Sequence, residues 1–235
     1  MNYIIETILD LLFPRRCPVC GQIIMPKGNL ICPGCIRKLS WVRGPVCKCC
    51  GKEIISETAE YCSDCAIHPR SFSNGMALLN YNEISAPSLA KIKYHNHREY
   101  LDFYAEAIAR RYGYFFERHK EAVLVPVPVH PARLRSRGFN QAGELAVRLG
   151  RLTGLSVNEA LLVRTRKTAP QKDLGPDERL RNLRHAFAVT AEAPPTVILT
   201  DDIYTTGSTI EACTRVLKAA GACQVYFVSI CIGGS

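Results

Sequence analysis

Long apolar runs, tryptophan and a basic leader are what this chain of 235 residues has least of. Its most apolar end, Met1–Phe13, places Ile4, Ile5, Ile8, Leu11 and Leu12 at helical spacing, but Glu6 and Asp10 interrupt it and it is too short to cross a bilayer. No basic segment precedes it, so it does not read as a signal peptide. It reads as an amphipathic helix over 1–14, either docking on the body or lying on a membrane surface, and the expectation is a cytoplasmic protein without a membrane span. Carboxylates are scarce too. There are 21 Asp and Glu against 30 Lys and Arg, a formal charge of +9. The excess is local, because His130–His185 holds twelve Lys/Arg against five Asp/Glu. Such a block suits a polyanion, either pyrophosphate or nucleic acid. Apolar content is ordinary, so the length allows one domain of normal size plus an appendage.

Cysteine is abundant instead. Twelve cysteines without a leader argue for metal ligation in a reducing compartment rather than for disulfides. Cys17, Cys20, Cys32 and Cys35 recur thirty residues on as Cys47, Cys50, Cys62 and Cys65, and Gly21 recurs as Gly51. Each CxxC turn sets two sulfurs on one side of a tight loop, and two turns complete a tetrahedral site. The spacing predicts tandem zinc ribbons over 15–70. The first zinc falls to Cys17, Cys20, Cys32 and Cys35, and the second to Cys47, Cys50, Cys62 and Cys65; an interleaved cross-brace is the alternative pairing. Zinc at each site contributes on the order of 10 kcal/mol to a segment poor in apolar residues. Eight thiolates against two Zn²⁺ bring the formal charge to about +5. Cys49 breaks the repeat, as a spectator or an alternative ligand. Trp41, the single tryptophan, stands between the two modules and reads as a packing residue.

The rest of the chain turns on Thr196–Thr209. Val197-Ile198-Leu199 is a buried strand pattern, Asp201 and Asp202 stand where it should end, and Thr205-Thr206-Gly207-Ser208-Thr209 form a turn into a helix over Ile210–Ala220. Strand, polar turn and helix in this order leave free amides and a positive dipole end at the turn, which makes an anion site. Two acids beside it make sense if they meet ribose hydroxyls and a Mg²⁺ that bridges to further phosphate.

This stretch resembles the phosphoribosyl pyrophosphate (PRPP) motif of type I phosphoribosyltransferases. The resemblance implies that Thr205, Thr206, Gly207, Ser208 and Thr209 hold the 5′-phosphate while Asp201 and Asp202 face ribose and metal. It also implies an α/β fold, a type I phosphoribosyltransferase-like parallel sheet with helices on both faces, over 71–235. Within it, 71–121 is expected to be a helical hood and 122–235 the core, since the chain ends at Ser235 just after the strand Gln224–Cys231. The hood has one helix face at Leu101, Tyr104, Ala105, Ile108 and Tyr112. A basic, aromatic cluster at Lys91, Lys93, Tyr94, His95, His97 and Arg98 could line a ligand mouth, stack single-stranded bases, or simply end an exposed helix.

Ala122–Val127 is expected as the next buried strand, running into Arg133, Arg135 and Arg137, a second anion site with fixed cations, placed where phosphoribosyltransferases hold pyrophosphate. Leu161–Thr165 is a further strand candidate. The segment 165–180, with Arg166 and Lys167, suits a mobile lid or a plain connector. With these segments in view the chain resembles the ComF family end to end. The residues concerned are the CxxC pairs, Arg135–Ala142 (RSRGFNQA), Arg166-x-Thr168-x-x-Gln171-x-x-Leu174, Arg179-x-x-Asn182 and Asp201–Gly207 (DDIYTTG). The resemblance implies a role in DNA uptake or use beside a helicase-like partner. Two functions follow. One is binding of PRPP or a ribose 5-phosphate ligand with Mg²⁺ and phosphoribosyl transfer to an acceptor, in which Asp201, Asp202, Arg133, Arg137, Arg166 and Lys167 act. The other is a single-stranded-DNA-binding module in which the PRPP site is vestigial or sensory. Thr205 stands where 6-oxopurine enzymes of this fold have an Asp, so base-assisted purine chemistry is not expected.

Overall fold

The computed structural model describes residues 14–165 and 186–233; the helix expected at 1–14 and the lid residues Arg166 and Lys167 lie outside them, Pro14 and Thr165 apart. Five strands form one parallel sheet in the order β1-β7-β6-β2-β3: β1 Asn74–Asn80, β7 Gln224–Ile232, β6 Thr196–Tyr204, β2 Val123–Pro126 and β3 Ser156–Val157. Val123 pairs with Val197 on one side and Ser156 on the other, and Val197 pairs in turn with Val225. The central strands are β-branched and buried on both faces, as a parallel sheet requires.

Helices cover both faces. Against one lie α3 (Ser85–His95), α4 (Tyr100–Arg111) and α7 (Gln141–Thr153), whose Leu89, Ile92, Leu101, Ile108, Leu145 and Leu149 meet Leu124, Ile198 and Val228. Against the other lies α8 (Ser208–Ala219), with Ile210, Cys213 and Leu217 on Val197, Leu199 and Phe227. Gly221, at φ 110°, follows the end of α8. Two short helices, α5 (Gly113–Arg118) and α6 (Pro131–Arg137), complete the α/β part.

The ribbons join the same two cores. In the first, Cys17, Ile24, Ile31, Cys35 and Leu39 pack with the α4 face; in the second, Val42, Cys47, Cys50, Cys62 and Cys65 pack with the α8 face. Between them Ser40–Val42 closes the outer edge of β1. Trp41 bridges Leu79, the Val42 amide donates to Leu78 O at 3.1 Å, and the Asn80 amide donates to Ser40 O at 2.7 Å. An edge that could template aggregation is thereby satisfied internally. Trp41 also meets Phe103 of α4 edge-on at 6.5 Å, so it packs on the α/β body as well as between the ribbons.

Three expectations need correction. The region 71–121 is not helical throughout, because β1 is a strand of the main sheet with its five central residues buried. The strand expected over Leu161–Thr165 is present as Leu162–Arg164 (β4), but it lies outside the main sheet, paired antiparallel with Phe187–Val189 (β5), and the strand that follows β2 in the main sheet is the short β3. Finally, β6 does not end at the acids. Its pairing with β7 continues through Tyr204↔Ile232, so Asp201 and Asp202 sit inside the strand and their side chains start on opposite faces.

Candidate functional site

The cysteines form two sequential tetrads, Cys17/Cys20/Cys32/Cys35 and Cys47/Cys50/Cys62/Cys65, with the sulfurs of each within 4.8 Å of one another. A tetrahedron of Zn–S bonds has S–S edges of about 3.8 Å. The Cys20–Cys32 and Cys50–Cys62 sulfurs are 3.9 and 3.8 Å apart, so the donors fit the ion. The knuckles repeat as well. The amides of Cys17 and Cys47 donate to Gln22 O and Lys52 O, those of Gly21 and Gly51 return to Cys17 O and Cys47 O, and both glycines have φ near +75°. Short helices α1 (Pro33–Ile36) and α2 (Ser63–Ile67) start one residue after Cys32 and Cys62. Cys49 stands outside the tetrads, its carbonyl accepting the Gly75 amide at 2.7 Å. These are structural sites of the closed, four-thiolate kind.

At the C-terminal edge of the sheet, β2 and β6 are neighbours, but the chain leaves them toward opposite sides: β2 leads to β3, and β6 to β7. That is a topological switch point, where ligands of open α/β sheets bind. The loop after β6 lies there. Thr205 is exposed, Thr206 and Thr209 are half-buried, and the amides of Thr205–Ile210 make no hydrogen bond among the described residues. Gly207 caps α8 at φ 74°, and a Cβ there would fall 2.3 Å from the Tyr204 hydroxyl. The glycine is thus required by backbone conformation and by Tyr204 beneath it.

The two acids have different surroundings. Asp202 is buried at 6 % exposure, its Oδ2 in contact with the Lys93 ammonium of α3 and its Oδ1 3.5 Å from Gln141 Nε2. Burial works to raise its pKa, but Lys93 outweighs that and holds the carboxyl below its usual range. Half-buried Asp201 accepts the Asp202 amide at 2.8 Å, and burial together with the charge of Asp202 pushes it well above that range. Gln141 also accepts from Arg137, whose guanidinium lies 5.6 Å over the Tyr94 ring. Arg137, Gln141, Asp202 and Lys93 therefore form one polar chain. Beside it opens a cavity of about 650 Å³ lined by Lys93, Tyr94, Arg98, Arg133, Arg137 and Phe139, among others, and, among the described residues, by no carboxylate.

Part of the basic, aromatic cluster and part of the arginine-rich segment meet at this cavity; Lys91, His95, His97 and Arg135 do not line it. The arginine-rich turn is itself the helix α6, which has no buried residue. Asn140 caps α7 through the Ala142 amide, so that helix start is closed by its own side chain. Sequence reasoning did not give Lys93 and Gln141 their places beside Asp202, although both stand in stretches it singled out. Arg164, on β4, lies near enough to Asp201 and Arg133 to feel their charges and was not singled out as a site residue.

A parallel α/β sheet with a loop of unpartnered amides at its switch point, joined to two cysteine tetrads, defines an open α/β protein with a double zinc ribbon. The double zinc ribbon domain family matches residues 8–66. The likeness to ComF proteins read from the motifs is borne out over most of the chain. It is 27% identical over 225 residues to Competence protein F of Haemophilus influenzae, covering 91% of this chain and 95% of that protein. It is 25% identical over 204 residues to Competence protein ComFC of Bacillus subtilis, covering 84% and 82%. A purine phosphoribosyltransferase of Pyrococcus horikoshii aligns over 57% of this chain and 72% of its own at 16% identity and a TM-score of 0.35, a likeness too loose to support any argument about function. No described helix is long and apolar enough to cross a membrane.

Proposed function

We propose that the protein binds PRPP or a related ribose 5-phosphate ligand at the switch point, as a ComF-like component of DNA uptake or use. The supporting observation is the row of unpartnered amides at Thr205–Ile210, following an acid pair whose Asp202 touches Lys93, a lining residue of the cation-lined cavity. In this reading the amides and hydroxyls of Thr205, Thr206, Gly207, Ser208 and Thr209 take the 5′-phosphate. Asp201 faces the ribose hydroxyls, and Asp202 is held charged behind it by Lys93 and Gln141. Arg133 and Arg137 take the pyrophosphate end, and Arg166 and Lys167 extend that role from the adjoining segment.

Asp202 is engaged by Lys93, which leaves Asp201 as the protein oxygen best placed for a divalent cation. Asp201 would be the residue to hold a Mg²⁺ brought with the ligand. The ion would supply charge neutralisation. If transfer occurs, the C1′–O bond breaks with its electron pair leaving on pyrophosphate, a lone pair of the acceptor forms the new bond, and the acceptor's proton passes to the departing pyrophosphate or to water. Arg133 and Arg137 then stabilise the developing charge. Thr205 offers no base.

Titration calorimetry with PRPP and Mg²⁺ tests the reading. It expects saturable binding that Asp201→Asn, which leaves the Lys93–Asp202 pair intact, weakens at least about tenfold; equal heats in both proteins would refute it.

A second reading adds single-stranded DNA on the same basic face. It is favoured by Arg133 and Arg135 on the exposed α6 and by Tyr94, 72% exposed, at the cavity mouth. A helicase-like partner fits this role. The expected location is the cytoplasm, where thiolate ligands remain reduced.

A further inference from the structure

The second ribbon reaches the phosphate loop through two consecutive residues. Arg70 follows Cys65 by five positions and its side chain is 7% exposed. It pairs with Asp64, the neighbour of Cys65 on α2, and the same Nη2 donates to the Thr206 carbonyl at 3.0 Å. Ser71 reaches Glu211 in the first turn of α8, its amide donating to Oε2 at 2.8 Å and its hydroxyl to Oε1 at 2.6 Å. Glu211 is buried, and its Oε1 also accepts from Arg215 Nε at 2.7 Å. The ribbon is seated tightly behind this contact, for a Cβ on Gly51 would lie 2.4 Å from the Gly75 carbonyl oxygen. In the first repeat the equivalent Gly21 would meet only the Lys91 ammonium, at 3.2 Å. The first ribbon's ion pair to the body, Arg15–Asp102 at 2.7 Å, goes to α4.

The Arg70 contact has a directional consequence. In a planar trans peptide the C=O and the following N–H point in opposite directions. Drawing the Thr206 carbonyl toward Arg70 therefore aims the Gly207 amide away from the ribbon, toward the open side of the loop. Four thiolates on one Zn²⁺ carry a net charge of about −2, which favours a guanidinium close by. We propose that the zinc-loaded second ribbon sets the conformation of the phosphate loop through Arg70 and Ser71, which act as positioning residues for the Gly207 amide and the first turn of α8. The affinity part of this proposal rests on the loop being a phosphate site; the conformational part does not.

The test uses the full, zinc-loaded chain and the variants Arg70→Ala, Ser71→Ala and, as a ribbon-one control, Arg15→Ala. Zinc content, amide hydrogen exchange and calorimetry with ribose 5-phosphate are measured on each. Arg70→Ala is expected to keep two zinc ions and unchanged exchange in β2 and β7. Its Glu211 amide, bonded to the Gly207 carbonyl at 2.8 Å, and the next amides of α8 should exchange at least about tenfold faster, and its ribose 5-phosphate affinity should fall by a similar factor, as loss of a charge-assisted hydrogen bond predicts. Ser71→Ala should move the same amides less, and Arg15→Ala not at all. Unchanged exchange at Glu211 and the next amides of α8 in folded, zinc-replete Arg70→Ala overturns the proposal; should that variant not fold, unchanged exchange there in Ser71→Ala does so. Absence of ribose 5-phosphate binding by the unaltered protein would sink the ligand assignment while the exchange data still judge the coupling.

Discussion

Replacing Lys93 with methionine removes the cation from a carboxylate that cannot reach water. Asp202 is 6 % exposed and the Lys93 side chain 20%. Breaking such a pair from one side costs about 3–5 kcal/mol, because a buried charge is left uncompensated. In a domain of this size each kcal/mol lowers Tm by about 2–4 °C, so Lys93→Met should melt about 10 °C lower at neutral pH. The pH dependence follows from the directions of the shifts. Asp202 lies below its unfolded value in the native protein, so its contribution is complete above the ordinary carboxylate pKa and fades as pH falls through the depressed native one. Lys93 lies above its unfolded value, because Asp202 outweighs the effect of burial, so its contribution is complete below the ordinary lysine pKa and fades as pH rises through the raised native one. Without Lys93, burial is the largest influence left on Asp202 and raises its pKa against the hydrogen bonds from Asp201 and Gln141, so the deficit should shrink as acid protonates it. The double variant Lys93→Met/Asp202→Leu should recover most of the loss. Differential scanning fluorimetry from pH 4 to 8 checks this. A Lys93→Met deficit below about 1 kcal/mol, or one independent of pH, would refute the reasoning.

Asp201→Asn should act oppositely on stability. It removes a carboxyl whose pKa is raised by burial and by Asp202, so at neutral pH the variant should melt a few degrees higher, an advantage that fades in acid. Cys17→Ser and Cys47→Ser should each leave about one zinc per chain by elemental analysis, whereas Cys49→Ser should keep both. Neutralising Arg133 and Arg135 should reduce the salt slope of single-stranded DNA binding by about 1.4, at about 0.7 per phosphate contact, as measured by fluorescence anisotropy.

How much of this was legible in the chain depended on distance along it. The tetrads and the β6–loop–α8 unit are local patterns; the tetrads take the sequential of the two pairings their spacing allows, and the unit forms in the expected order with β6 running past the acids to Tyr204. β1 was not legible, because Met76-Ala77-Leu78-Leu79 contains no β-branched residue and its strand character comes from burial between β7 and Ser40–Val42. The acids were recognised, but their separate environments were not. Gln141 lies 61 residues before Asp202, and the positive charge that holds Asp202 comes from α3. Arg70 and Thr206 are 136 residues apart, and a single arginine past a CxxC turn announces no partner. Even the split of the ribbons between two cores follows from β1 standing at the sheet edge, a fact of topology rather than of either ribbon.

The central claim is that main-chain amides of Thr205–Ile210 grip a sugar phosphate. Amide NMR of the zinc-loaded protein titrated with ribose 5-phosphate tests it most directly. The account predicts saturable downfield shifts largest at Gly207 and Ser208, with smaller ones at Asp201. Shifts confined to the residues of α6, or none at saturating ligand, would contradict it.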